Sequence, residues 1–70
     1  MINCSVFISM SDSLKELKLE GLTGRTGTVV EDLNVSERRN KGYMVRLNEP
    51  FMGEFIWFIP ADAVYSDGQG

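Results

Sequence analysis

Residues 42–59 read Gly42-Tyr43-Met44-Val45-Arg46-Leu47-Asn48-Glu49-Pro50-Phe51-Met52-Gly53-Glu54-Phe55-Ile56-Trp57-Phe58-Ile59. From Gly42 to Asn48, Tyr43, Val45 and Leu47 alternate with Met44, Arg46 and Asn48, which is the period of a β-strand. Glu49 to Gly53 carries a proline and a glycine and predicts a turn. Glu54 to Ile59 predicts the returning strand. Pro60 stops it, because proline has no N–H to donate to a ladder. Centring the turn at Phe51 places Leu47 opposite Phe55, Val45 opposite Trp57 and Tyr43 opposite Ile59. All six fall on one face and are predicted to be core. The other face carries Met44, Arg46, Ile56 and Phe58, which is apolar apart from Arg46. A one-sided sheet would be polar there. Two readings stay open: the face packs under Ile2–Met10 or a short helix, or it is an exposed patch for a partner or a second copy. Trp57 has the same two sides, as core residue or as rim aromatic of a groove.

Outward from this hairpin, glycines and polar clusters cut the chain into short pieces. Ile2 to Met10 predicts a first strand, with Ile2, Cys4 and Val6 on one face and Phe7 on the other. Cys4 is expected to be a small buried hydrophobe. Ser11-Asp12-Ser13 offers helix caps, and Leu14, Glu16 and Leu17 allow one or two helical turns before Gly21. So short a helix needs docking to exist. Gly21, Gly24 and Gly27 mark a turn region suited to positive φ. The β-branched run Thr28-Val29-Val30 opens a second strand that reaches about Leu33. Asn34 to Lys41 is polar and predicts a loop. Ala61-Asp62-Ala63 predicts a tight 3₁₀ turn, Val64-Tyr65 a short closing strand, and Ser66–Gly70 a frayed tail. The expectation is therefore a mainly β chain over residues 1–65, a five-stranded small barrel or partly open β-roll. It has a short helix or turn after strand 1, a 3₁₀ turn before the last strand, and a flexible tail at 66–70.

The stretch Gly24-Arg25-Thr26-Gly27-Thr28-Val29-Val30 resembles the G-x-x-G-x-V-V core of KOW-type and other SH3-like small barrels of translation and transcription proteins. Tyr43-Met44-Val45-Arg46-Leu47 and Trp57-Phe58-Ile59-Pro60-Ala61-Asp62-Ala63-Val64 resemble the later strands and 3₁₀ turn of such barrels. The order of elements carries the resemblance over residues 2–65. It implies the fold, as in isolated small barrels found as short bacterial and phage proteins. Two departures limit it. KOW-type nucleic-acid binders are usually basic, whereas this chain is acidic. Peptide-binding SH3 domains carry paired tryptophans and an Ala-Leu-Tyr-type opening, and this chain has one tryptophan and no such opening.

Composition narrows the chemistry. Seventy residues with one cysteine and no histidine exclude an internal disulfide, any His-dependent triad and any His-containing zinc site. No carboxylate spacing suggests a metal, and the glycine run lacks the Lys-Ser/Thr that ends a P-loop. Glu31 and Asp32 are adjacent in a strand and point to opposite faces, so they are no acid–base pair. The expectation is no enzyme, no cofactor and no metal. The amino terminus lacks the basic residues of a signal peptide, no stretch has the apolar length of a membrane span, and the lone cysteine fits a cytoplasmic setting.

The formal net charge is −3, unevenly spread. Residues 21–48 hold five basic against three acidic side chains, and the remainder two against seven. Two binding readings follow. The first is a protein-interaction or assembly module using Met44, Ile56 and Phe58, with Phe51, Met52 and Trp57 near the turn; its partner is an unknown protein or the chain itself. The alternative is weak, salt-sensitive nucleic-acid contact through Arg25, Arg38, Arg39 and Lys41, on the premise that the loop folds beside Arg25. The acidic balance favours the first.

Overall fold

The computed structural model describes residues 2–34 and 41–66. They form five strands in one antiparallel sheet of order β4-β3-β2-β1-β5. The strands are β1 (Ser5–Ile8), β2 (Thr26–Asp32), β3 (Gly42–Phe51), β4 (Glu54–Pro60) and β5 (Val64–Ser66). A short helix, α1 (Asp12–Glu16), and a 3₁₀ turn, Glu20–Leu22, lie between β1 and β2. A second 3₁₀ turn spans Ala61–Ala63, where the Ala-Asp-Ala stretch predicts it. β4 and β5 are the two outer strands of an open sheet. Ser66 belongs to β5 rather than to a tail, and residues 67–70 lie outside the described residues.

β1 is shorter than its sequence suggests. Val6 and Ile8 are buried and Phe7 faces out, so alternation holds within Ser5–Ile8. Cys4 is exposed, against the expectation of a small buried hydrophobe, and Ile2 is exposed as well. The cause is Asn3, which sits at φ 65 and breaks the extended run. Asparagine tolerates that left-handed region better than most residues. The chain before β1 still follows β2, since Asn3 N–H donates to Val29 O (2.7 Å) and Val29 N–H to Cys4 O (3.0 Å).

α1 survives at five residues because both ends are capped and its one buried side chain, Leu14, reaches the core. Ser11 is extended and its Oγ accepts from Leu14 N–H at 3.0 Å. At the other end Lys18 N–H donates to Lys15 O and Leu19 N–H to Leu14 O. This is the paired pattern of a Schellman motif, with Lys18 in the left-handed position at φ 61. A glycine is the favoured residue there. Lys18→Gly is therefore expected to raise stability by about 0.5–1 kcal/mol, read as a higher urea midpoint at unchanged slope. A lowered midpoint would contradict the cap.

β2 begins at Thr26, two residues earlier than the β-branched run implies. Gly24 is the member of the glycine run that needs positive φ, at 87. Gly27 sits between Val6 and Leu47 in the ladders. The register to β3 slips after Val29, which pairs with Val45, because Glu31 then pairs with Met44. Val30 is the extra residue, 40% exposed, and such a bulge bends its strand. The strand end is closed by Asp32, whose Oδ1 accepts from Asn34 N–H at 2.9 Å.

In the hairpin, Tyr43 pairs with Ile59 and Val45 with Trp57, as the alternation requires. The third expected pair, Leu47 with Phe55, does not form. The ladder slips between Arg46, opposite Ile56, and Phe51, opposite Glu54. β3 takes extra residues there, and Pro50, which cannot donate, lies among them. Leu47 stays buried while Phe55 is 39% exposed, so Phe55 is not core. β3 thus runs on to Phe51 and the turn shrinks to Met52 and Gly53, both at positive φ (52 and 82). That is the backbone of a tight two-residue hairpin turn.

The core is Val6, Ile8, Leu14, Leu22, Val29, Val45, Leu47, Ile59, Ala63 and Val64, and no polar or charged residue is buried among the described residues. Tyr43, Phe51, Trp57 and Leu19 pack against its margin.

Candidate functional site

The slipped register of β3 and β4 sorts the hairpin's candidate residues into three places. Met44 pairs with Phe58 and Arg46 with Ile56, so these four share the outer face. Thr28 and Glu31 of β2 continue that face beside Arg46 and Met44. Met44 and Phe58 are half-buried. The Phe58 ring lies over the bare Cα of Gly42, where an added Cβ would stand 2.7 Å from it. Ile56 projects furthest, at 46% exposure. The outer hairpin face is thus partly exposed rather than covered by Ile2–Met10 or α1.

Phe51 and Trp57 lie elsewhere. They meet edge to face at 5.5 Å and pack on the margin of the core. The Trp57 indole N–H donates to Glu54 O at 3.0 Å, which satisfies its polar handle. The Arg25 guanidinium lies over the Phe51 ring at 4.9 Å, and Arg25 Nε–H donates to Gly21 O at 3.4 Å. An added Cβ on Gly21 would stand 3.0 Å from the Phe51 ring. These contacts clasp the tip of the hairpin to the turn before β2. Their evident role is to hold that end of the sheet together. Met52 stands alone at the tip, 80% exposed.

The two basic candidates among the described residues, Arg25 and Lys41, do not gather. Arg25 precedes β2 at the end of the β2–β3 ladder where Gly27 meets Leu47. Lys41 precedes β3 at the opposite end, where Asp32 meets Tyr43. At about 3.3 Å per residue the length of the ladder separates them by roughly 20 Å. Arg38 and Arg39 lie outside the described residues. Beside Arg25 is a shallow open depression lined by Gly24, Arg25, Thr26, Asn48 and Glu49. Its floor is tied by a hydrogen bond from Asn48 Nδ2 to Thr26 Oγ1 at 2.7 Å.

Two surface features escape a reading by alternation. Phe7 and Tyr65 stack at 5.6 Å across the β1–β5 ladder. The Arg46 guanidinium covers the Phe55 ring at 4.8 Å. The first depends on a pairing between the two ends of the chain. The second depends on the slip in the hairpin. Neither leaves a local trace, although Phe7 and Tyr65 are both aromatic residues in short predicted strands.

Among the described residues, no group of three or more Cys, Asp or Glu side chains is placed to hold a metal ion, and no helix is long and apolar enough to cross a membrane. No family model, curated protein or solved structure matches the chain.

Proposed function

We propose that the chain is a small SH3-like barrel of the KOW-like kind that works as a non-enzymatic protein-interaction or assembly module, docking its partner on the outer face of the β3–β4 hairpin. The strand order supports the barrel reading: β2, β3 and β4 form a meander, and β1 lies between β2 and β5. The bulge at Val30 supplies the bend that curling such a sheet requires. The observation that carries the functional reading is Ile56, an apolar residue 46% exposed beside Met44 and Phe58 on a face the fold leaves partly open. A monomeric surface gains nothing by presenting these together. The nucleic-acid reading draws less support, because Arg25 is spent on Phe51 and stands far from Lys41. A lone exposed thiol, Cys4, is compatible with the reducing cytoplasm, where we place this activity.

The test is a photoreactive residue at position 56, with position 18 on the exposed Lys18 as comparison, in the chain produced in its host cell. Protein adducts of defined mass are expected from position 56 and not from position 18. Equal or absent cross-linking at the two positions would remove the hairpin face from consideration.

A further inference from the structure

We propose a second binding site, for a neutral pyranose sugar, where Phe7, Thr26, Asn48 and Glu49 meet at one end of the sheet. It is separate from the hairpin surface and does not rest on that reading. The ladders set one row of side chains across four strands. Tyr65 pairs with Phe7, and Phe7 with Thr26. Gly27 pairs with Leu47, so Thr26 stands beside Asn48, and the 2.7 Å bond from Asn48 Nδ2 to Thr26 Oγ1 keeps both on one face. Val6, Ile8, Leu47 and Val64, which alternate with members of the row, are buried, so the row looks outward.

The row begins aromatic and ends polar. Phe7 and Tyr65 are 39% and 49% exposed, and their rings stack at 5.6 Å with 26° between the planes. Tyr65 takes one face of the Phe7 ring and leaves the other on the β2 side, above the short Thr26 side chain. With strands about 4.8 Å apart, Asn48 stands about 10 Å from Phe7 across Thr26. That gap admits one ring between an aromatic wall and a carboxamide. Thr26 also lines the depression of about 200 Å³ that it shares with Gly24, Arg25, Asn48 and Glu49. Drug-sized pockets run to about 300–1,000 Å³, so this one suits a single ring.

The polar groups select the class of ring. Arg25 and Glu49 bring one charge of each sign to the depression, so its sum is zero. Arg25 has its Nε–H on Gly21 O and its plane on Phe51, which orients the guanidinium and leaves the Nη groups to donate. Thr26 Oγ1 accepts from Asn48, which leaves the hydroxyl proton to donate and Asn48 Oδ1 to accept. The exposed Glu49 carboxylate accepts. Guanidinium, carboxamide and carboxylate are planar two-pronged groups, and neighbouring sugar hydroxyls match such forks both as donors and as acceptors. A phosphate would meet Glu49 with a single balancing cation. An apolar ligand would strip water from these side chains and replace none of their bonds. A pyranose carries hydroxyls on its rim and C–H groups on its faces, and C–H groups suit the negative face of an aromatic ring such as Phe7.

The experiment is an amide-shift titration of the full chain with the methyl glycosides of glucose, galactose, mannose and N-acetylglucosamine, each to about 50 mM. A single small ring on an open site is expected to bind in the millimolar range. At least one glycoside is expected to give saturable shifts centred on residues 7, 24–26, 48–49 and 65. Asn48→Ala and Phe7→Thr are each expected to lower its association constant about five- to tenfold while the amide spectrum stays dispersed. Leu17→Ala, in the exposed end of α1, is expected to leave it unchanged. No saturable shift from any glycoside, shifts centred outside these residues, or undiminished binding by folded Asn48→Ala would overturn the proposal. Saturation by inorganic phosphate or glycine, with none by the glycosides, would overturn it too and make the depression an ion site. Cross-linking at position 56 is decided independently, because Ile56 lies outside the row.

Discussion

Gly27→Ala is expected to leave most of the chain unfolded at room temperature. Gly27 is buried in β2, with Val6 on one side and Leu47 on the other. An added Cβ would overlap the carbonyl oxygen of Arg46 and stand 2.9 Å from Val45 Cγ1. The first obstacle is backbone, so no rotamer change relieves it. The strands would have to separate at the centre of the sheet. Forcing extra carbon into a packed site costs typically ~1–3 kcal/mol, and more where the backbone must move. A domain of this size holds only about 3–5 kcal/mol in all. Far-UV circular dichroism and amide dispersion read the outcome directly. Thr28→Ala is the comparison, since Thr28 is half-buried on the neighbouring face, and it is expected to stay folded. A Gly27→Ala chain with an unchanged urea midpoint would mean that β2 and β3 do not approach as closely as described.

The same position shows what the sequence makes legible. Gly27 stands out as one of three regularly spaced glycines, and positive φ is the natural reason to expect. Gly24 is the one that needs it. Gly27 is a glycine for want of room, and that reason exists only once β3 lies alongside. The hairpin follows the same division. Period-two alternation fixes faces, and it places Tyr43 opposite Ile59 and Val45 opposite Trp57. It fails one pair further on, because a slip changes register without changing the pattern of residue types. The tight turn is hidden for a related reason: Met52 occupies a left-handed position where asparagine or glycine would have announced it. Asn3 hides the start of β1 in the same way.

The candidate site divides along these lines too. The outer face of Met44, Ile56 and Phe58 follows from alternation, and the ladder keeps it together. The grouping of Phe51 and Trp57 with them does not survive, since both turn toward Arg25 and the core margin. What joins Phe51 to Arg25 is a contact across 26 residues, brought about by the fold of the sheet and not by any local pattern.

Leu14→Ala is the second substitution with a large expected effect, and its sign separates two accounts of α1. Alanine has the higher helix propensity, by a few tenths of a kcal/mol. If the helix formed for its own sake, the substitution would be harmless. A helix of five residues is far below the ~12–15 that stand alone in water, however. α1 is held by its Ser11 cap, by the Schellman bonds at Lys18 and Leu19, and by burial of Leu14 in the core formed with Ile8, Leu22 and Ile59. Leu14 has no exposed surface. Truncating a buried leucine costs about 2–5 kcal/mol, according to how far the site collapses. Against a total of about 3–5 kcal/mol, that removes most of the stability of the whole domain, not of the helix alone. Leu17, at the end of the same helix, is 49% exposed, and Leu17→Ala is expected to stay within ~0.5 kcal/mol of the parent. Urea denaturation of the two variants gives the comparison. Equal midpoints would show that the segment between β1 and β2 rests on the sheet without anchoring it, and the core would then have to close without Leu14.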